Sequence, residues 1–100
     1  MATLHMLSHA PASNSDFSSC VRLLAEQDGL LLCGDAVYAM QTGSDPAKLL
    51  NALGEHNCVF AMVEDVTARG IESVEGRIRL LDYPGFVEIC TRYDRVNSWL

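Results

Sequence analysis

Four cysteines, three histidines and a scatter of acidic residues carry whatever chemistry this 100-residue chain can perform. The cysteines are Cys20, Cys33, Cys58 and Cys90, at spacings of 13, 25 and 32 residues and without a CxxC pair. That spacing fits neither a dithiol redox motif nor a metal cage, so free thiols are expected. His5, His9 and His56 lie too far apart for zinc-ligand spacing, and no metal is expected. There is no GxGxxG, P-loop or HExxH sequence, and no serine sits on a recognisable nucleophile elbow. Cys20 is the thiol with two readings. It falls in the first turns of a predicted helix, where a helix terminus favours a thiolate, and it shares an apolar stripe with Phe17 and Val21, where packing is the plainer role. Cys58 and Cys90 read as buried filler. Cys33 falls at the carboxyl end of a predicted strand, where exposure and packing are both open.

The acidic residues gather where strands should end: Asp35, Glu64 with Asp65, and Asp82. In an open α/β sheet those ends line the ligand crevice, so a carboxylate site is one reading. The other is local, because Asp35, Asp65 and Asp82 each precede a helical turn and can cap it.

The elements that must position these groups alternate. Thr3 to Leu7 reads as a strand. Asp16 to Glu26 reads as a helix, with Phe17, Cys20, Val21 and Leu24 at i, i+3, i+4 and i+7 and Ser15 or Asp16 as its cap. Leu30 to Cys33 is apolar at every position, the signature of a strand covered on both faces. A short apolar segment follows from Ala36 to Met40. A helix opening on Asp45-Pro46 carries Leu49, Leu50 and Leu53. Asn57 to Val63 is a second buried strand, Val66 to Arg69 a single turn capped by Asp65, Ser73 to Gly76 a turn, and Arg77 to Leu81 a strand. Asp82-Tyr83-Pro84 opens a last helix with Phe86, Ile89, Cys90 and Tyr93 on one face, before Val96 to Leu100. The pattern predicts an α/β fold over residues 1–100 as a single domain: a largely parallel sheet of four or five strands with helices on both faces.

Composition narrows the function. A hydrophobic share of 49% and a charged share of 20% exclude a disordered chain. A net charge of −6 disfavours direct nucleic-acid binding, which needs a basic face. No apolar run approaches the roughly 20 residues of a membrane span, and Met1 to Leu7 lacks the basic region of a signal peptide, so a cytoplasmic protein is expected.

Three segments carry a resemblance when read together: Leu30 to Ala39 (LLLCGDAVYA), Val63 to Gly70 (VEDVTARG) and Asp82 to Val87 (DYPGFV). With Leu4-His5 near the start and Val96 to Leu100 at the close, the chain resembles the TusB/DsrH family of the DsrE/F/H-like group. The resemblance runs over nearly the whole chain in one register and makes Asp35, Glu64, Asp65, Arg69, Asp82 and Tyr83 its motif residues. It implies a subunit of a heterohexamer built from two copies each of three related small chains, the others being TusC/DsrF-like and TusD/DsrE-like. In one branch such a complex passes persulfide sulfur, through a TusE-like acceptor, toward the 2-thio group of a tRNA wobble uridine. In the other it serves dissimilatory sulfur oxidation through a DsrC-like carrier. The principal relay cysteine belongs to the TusD/DsrE-type partner, which leaves this chain a non-catalytic subunit without a cofactor. Cys20 matches a cysteine that DsrH-type members carry in the first helix, so a secondary thiol role stays open for it. Cys33 stands where the family usually has a polar residue. Trp99 and Phe86 are the candidate interface residues, with folding back onto the chain's own core as the other reading for Trp99. Two further functions remain in view: an independent thiol sulfurtransferase using Cys20, and a binding module whose acidic crevice takes a small cation.

Overall fold

The structure, a computed structural model, describes residues 1–13, 15–71 and 76–99. Most of the expected turn from Ser73 to Gly76 lies outside the described residues, as does Leu100. In chain order the elements are β1 (Thr3–Leu7), α1 (Asp16–Leu23), β2 (Gly29–Leu32), a 3-10 helix (Gly34–Met40), α2 (Asp45–Asn51), β3 (Val59–Met62), α3 (Val63–Ala68), β4 (Ile78–Leu81), α4 (Tyr83–Arg92) and β5 (Arg95–Trp99). All five strands are parallel, in the order β4-β3-β2-β1-β5. The fold expectation is met, with one helix on one face and the rest on the other.

The faces follow from strand alternation. His5 and Leu7, Leu30 and Leu32, Val59 and Ala61, and Ile78 point to one side. There Phe17 and Cys20 of α1, Ala36 to Met40 of the 3-10 helix, Leu50 of α2 and Val66 of α3 close a continuous core. Leu4, Leu31, Phe60 and Leu81 point to the other side and, among the described residues, the helix they meet is α4, through Ile89 with Phe86, Cys90 and Tyr93 around it. β2 sits in the middle of the sheet, and its Leu30, Leu31 and Leu32 are fully buried, as its unbroken apolar run requires. A helix is about 10 Å across and five strands at about 4.8 Å spacing are roughly twice that. α4 buries Leu4, Leu31, Phe60 and Leu81 beneath it and leaves Val96 of edge strand β5 41% exposed.

Several local expectations shift. α1 stops at Leu23, because Leu24 turns extended, and does not run to Glu26. Ser44, not Asp45, caps α2 by accepting from the Ala47 N–H. α3 starts directly at the strand end, at Val63, with Met62 as its cap residue and no capping side chain. Asp65 is therefore inside that helix, not at its cap. Asp82 does cap α4, accepting from the Gly85 N–H at 2.8 Å. Gly70 follows α3 at φ +67°, where a left-handed residue lets the Ile71 N–H reach the Val66 carbonyl and end the helix. Among the described residues no helix is long and apolar enough to cross a membrane.

Candidate functional site

At the carboxyl ends of β2 and β3 the chain leaves the sheet abruptly. Gly34 takes φ +52° to enter the 3-10 helix, and a Cβ there would stand 3.2 Å from the Ser8 carbonyl oxygen. Its N–H donates to Asp65 Oδ2 at 2.9 Å, which ties the exit of β2 to α3. Arg69, one turn further along α3, reaches back across the gap. Its Nε and Nη2 donate to Asp35 Oδ1 at 3.0 and 2.8 Å, and its Nη1 lies 3.6 Å from Asp65 Oδ1. The guanidinium carbon also sits 6.0 Å from the Tyr38 ring centre. The hydrogen bond to Asp35, against some desolvation, holds Arg69 more firmly charged than usual. Asp35 and Asp65 are thus linked through one arginine, and the capping role expected of both is replaced by this bridge. The physical reason is reach: both carboxylates lie within a helical turn of the strand tips, where a long side chain from α3 spans them. A cationic ligand at this crevice would have to displace Arg69.

The remaining motif residues do not join that cluster. Glu64 is exposed on α3. Asp82 is occupied by its capping bond. Tyr83 is 64% exposed and leans on Phe86, ring centres 6.0 Å apart. Phe86, Tyr83 and Cys33, with Met6, Leu31 and Met62, line an apolar groove of about 210 Å³ on the α4 side. The Cys33 thiol donates to the Leu7 carbonyl at 3.4 Å, and burial, with Asp65 nearby, pushes its pKa up.

Cys20 is fully enclosed beneath α1. It is the fifth residue of that helix, past the terminal turn, since the Ser19 N–H already bonds the Ser15 carbonyl. Burial, with Asp28 and Asp16 adding like-charge repulsion, pushes its thiol from 9.0 up to about 12. Any helix-terminus effect is worth at most about one unit at such a position and is overwhelmed. Cys58, expected in the core, is instead the exposed cysteine. The strand starts at Val59, two residues later than the expected Asn57, so the Cys58 side chain falls at the open amino edge of the sheet. Cys90 is half-buried on α4, and burial raises its thiol as well.

A buried polar chain was not legible in the sequence. Trp99 Nε1 donates to His5 Nδ1 at 3.1 Å, and His5 Nε2 lies 3.2 Å from Asp28 Oδ2. An indole N–H can only donate, so His5 accepts at Nδ1 and carries its proton on Nε2, toward Asp28. Asp28 accepts as well from the Thr3 and Ala25 N–H groups, both at 3.0 Å. Burial pushes the Asp28 carboxyl up, but these N–H donors and His5 more than offset it, and its pKa is lowered. The arrangement clasps edge strand β5 to β1 and places Trp99, part-buried, against the main core. In the sequence, Gln27-Asp28-Gly29 gives only a helix stop.

A family model described as DsrH like protein matches residues 9–96. This chain belongs to the DsrH-like family. Proteins named TusB align with it from end to end: that of Serratia proteamaculans is 33% identical over 97 residues, and that of Erwinia tasmaniensis 32%, each alignment covering 96% of this chain and 99% of the relative. The crystal structure of the ychN protein from E. coli shares the fold, with a TM-score of 0.76 over 99% of this chain and all of that one, at 16% identity. Two of the three DsrH-like sequence segments, Leu30 to Ala39 and Val63 to Gly70, are the two that the Arg69 bridge joins.

Proposed function

We propose that this chain is a subunit of a sulfur-relay complex, assembled in the cytoplasm with two related small chains, that passes persulfide sulfur to a downstream acceptor and ultimately to the 2-thio group of a tRNA wobble uridine. Membership in the DsrH-like family and end-to-end similarity to TusB proteins support the relay. The observation that carries the subunit role is the unequal covering of the sheet. A parallel sheet needs both faces covered, and here a single ten-residue helix serves one of them. Around it Tyr83, Val87 and Val96 are 64%, 46% and 41% exposed, on the same side as the groove lined by Phe86. A homologous subunit fits that face, with Phe86 in the contact. The enclosure of Cys20 supports placing the principal relay thiol on a partner.

The presence of Cys20 in the first helix favours a second reading, a DsrH-type subunit of a sulfur-oxidation complex. The acceptor that the assembled complex loads, TusE-like or DsrC-like, separates the two.

Co-expression with its two neighbouring homologues tests assembly. The expected result is one complex containing all three chains, weakened by Val87→Glu on the exposed face of α4 while the isolated variant keeps its fold. A chain that stays monomeric in the presence of both homologues contradicts the proposal.

A further inference from the structure

The amino edge of the sheet holds a cleft of about 510 Å³, on the opposite end of the strands from the Arg69 bridge. That volume is in the range of small-ligand sites. In a chain of net charge −6 with seven basic residues, three of them, Arg77, Arg79 and Arg92, line this one cleft. The exposed thiol of Cys58 opens into it, beside Tyr93.

The three arginines differ in what already holds them. Arg77 spends its Nη groups on the carbonyls of Leu53 at 2.7 Å, Asn57 at 3.0 Å and Gly54, and among the described residues no carboxylate pairs with it and its buried Nε has no partner. The Arg79 side chain has no hydrogen bond or ion pair among the described residues. Arg92 is held by Glu88 at 2.7 Å on the surface of α4. Among the described lining residues the one carboxylate, Glu55, lies 3.7 Å from His56. Among the described residues, cationic groups thus outnumber carboxylates around an accessible sulfur.

We propose that this cleft binds a small anionic persulfide and that Cys58 accepts its sulfane sulfur. This rests on the sulfur-relay reading above and gives the chain an auxiliary thiol distinct from the buried Cys20. The Cys58 thiolate attacks the terminal sulfur of R–S–SH. The donor's S–S bond breaks, a new S–S bond joins Sγ to the transferred sulfur, which keeps its hydrogen, and the donor leaves as R–S⁻. Sulfane sulfur changes carrier, so no oxidant or reductant enters. Arg79 holds a carboxylate of the donor, and the fixed charge of Arg77, whose N–H groups are already spent on carbonyls, favours the leaving thiolate through space.

The test loads the full chain with glutathione persulfide, which is anionic, or with N-acetylcysteamine persulfide, which carries no charged group besides the sulfur. Intact-protein and peptide mass spectrometry then locate the added sulfur. Cys58 should take it, faster from the anionic donor by about three- to tenfold at low salt, the range expected for one or two exposed charge contacts. Arg79→Gln should remove that preference, bringing the rates from the two donors together, and Cys20→Ser should change neither. Sulfur appearing on Cys33 or Cys90 with Cys58 unlabelled, or equal rates from both donors in the unaltered chain, overturns the proposal. Because the chain is loaded alone, failure here leaves the assembly experiment untouched. Loading of Cys58 by a chain that never assembles defeats the relay reading instead.

Discussion

Cys20 should be almost inert to alkylation in the folded chain, and the size of the effect follows from its surroundings. With the thiol pushed from 9.0 to about 12, three powers of ten separate its thiolate population from that of an ordinary cysteine well below both values. At pH 8 the thiolate is about one part in ten thousand instead of about one in ten, so ionisation alone slows iodoacetamide roughly a thousandfold. Complete burial adds a steric barrier in the same direction. The assay is peptide mass spectrometry after timed alkylation, with the urea-unfolded chain as reference and Cys58 as the internal accessible thiol. The Cys20 rate should also keep climbing tenfold per pH unit through pH 10, where an ordinary thiol levels off. A native-state rate within tenfold of the unfolded one, with circular dichroism unchanged, refutes the argument, as does a plateau near pH 9.

Three further outcomes follow. Asp28→Asn should destabilise the fold by about 1–3 kcal/mol at neutral pH, by weakening buried bonds to Thr3, Ala25 and His5. Because the folded pKa of Asp28 lies below its unfolded value near 4, its contribution is full above about pH 4 and fades as pH falls further. The gap between variant and native chain in urea titrations should therefore narrow only below that point. Gly29→Ala places a methyl group 2.6 Å from Tyr93 Cζ and against its hydroxyl. It should cost about 1–3 kcal/mol by overpacking, and Tyr93→Leu in the same chain should recover part of it. Arg69→Ala should lower the thermal midpoint more at low salt than at about 0.5 M salt, since screening weakens the bridge to Asp35 and Asp65 in the native chain.

The fold was legible because its signals are strong and local. Leu30 to Leu32 cannot be apolar at every position unless both sheet faces are covered, and Asp82-Tyr83-Pro84 carries its cap and its first-turn proline together. What was hidden depends on contacts across the chain. Asp35 and Asp65 looked alike as caps, and only the distance spanned by Arg69 makes them a bridge. Cys58 sits beside an apolar run and reads as core, yet the strand begins at Val59 and leaves it outside. Nothing local marks Asp28 as the partner of a histidine 23 residues earlier, or His5 as that of a tryptophan 94 residues later.

The relay itself is measured most directly by sulfur flux through the reconstituted complex, following isotopically labelled persulfide from the upstream donor to the downstream acceptor with and without this chain. The account predicts that omitting the chain abolishes transfer and that adding it back restores it, with Cys20→Ser as effective as the native chain. Equal flux in its absence contradicts the account. So does an assembled complex that Cys20→Ser alone silences.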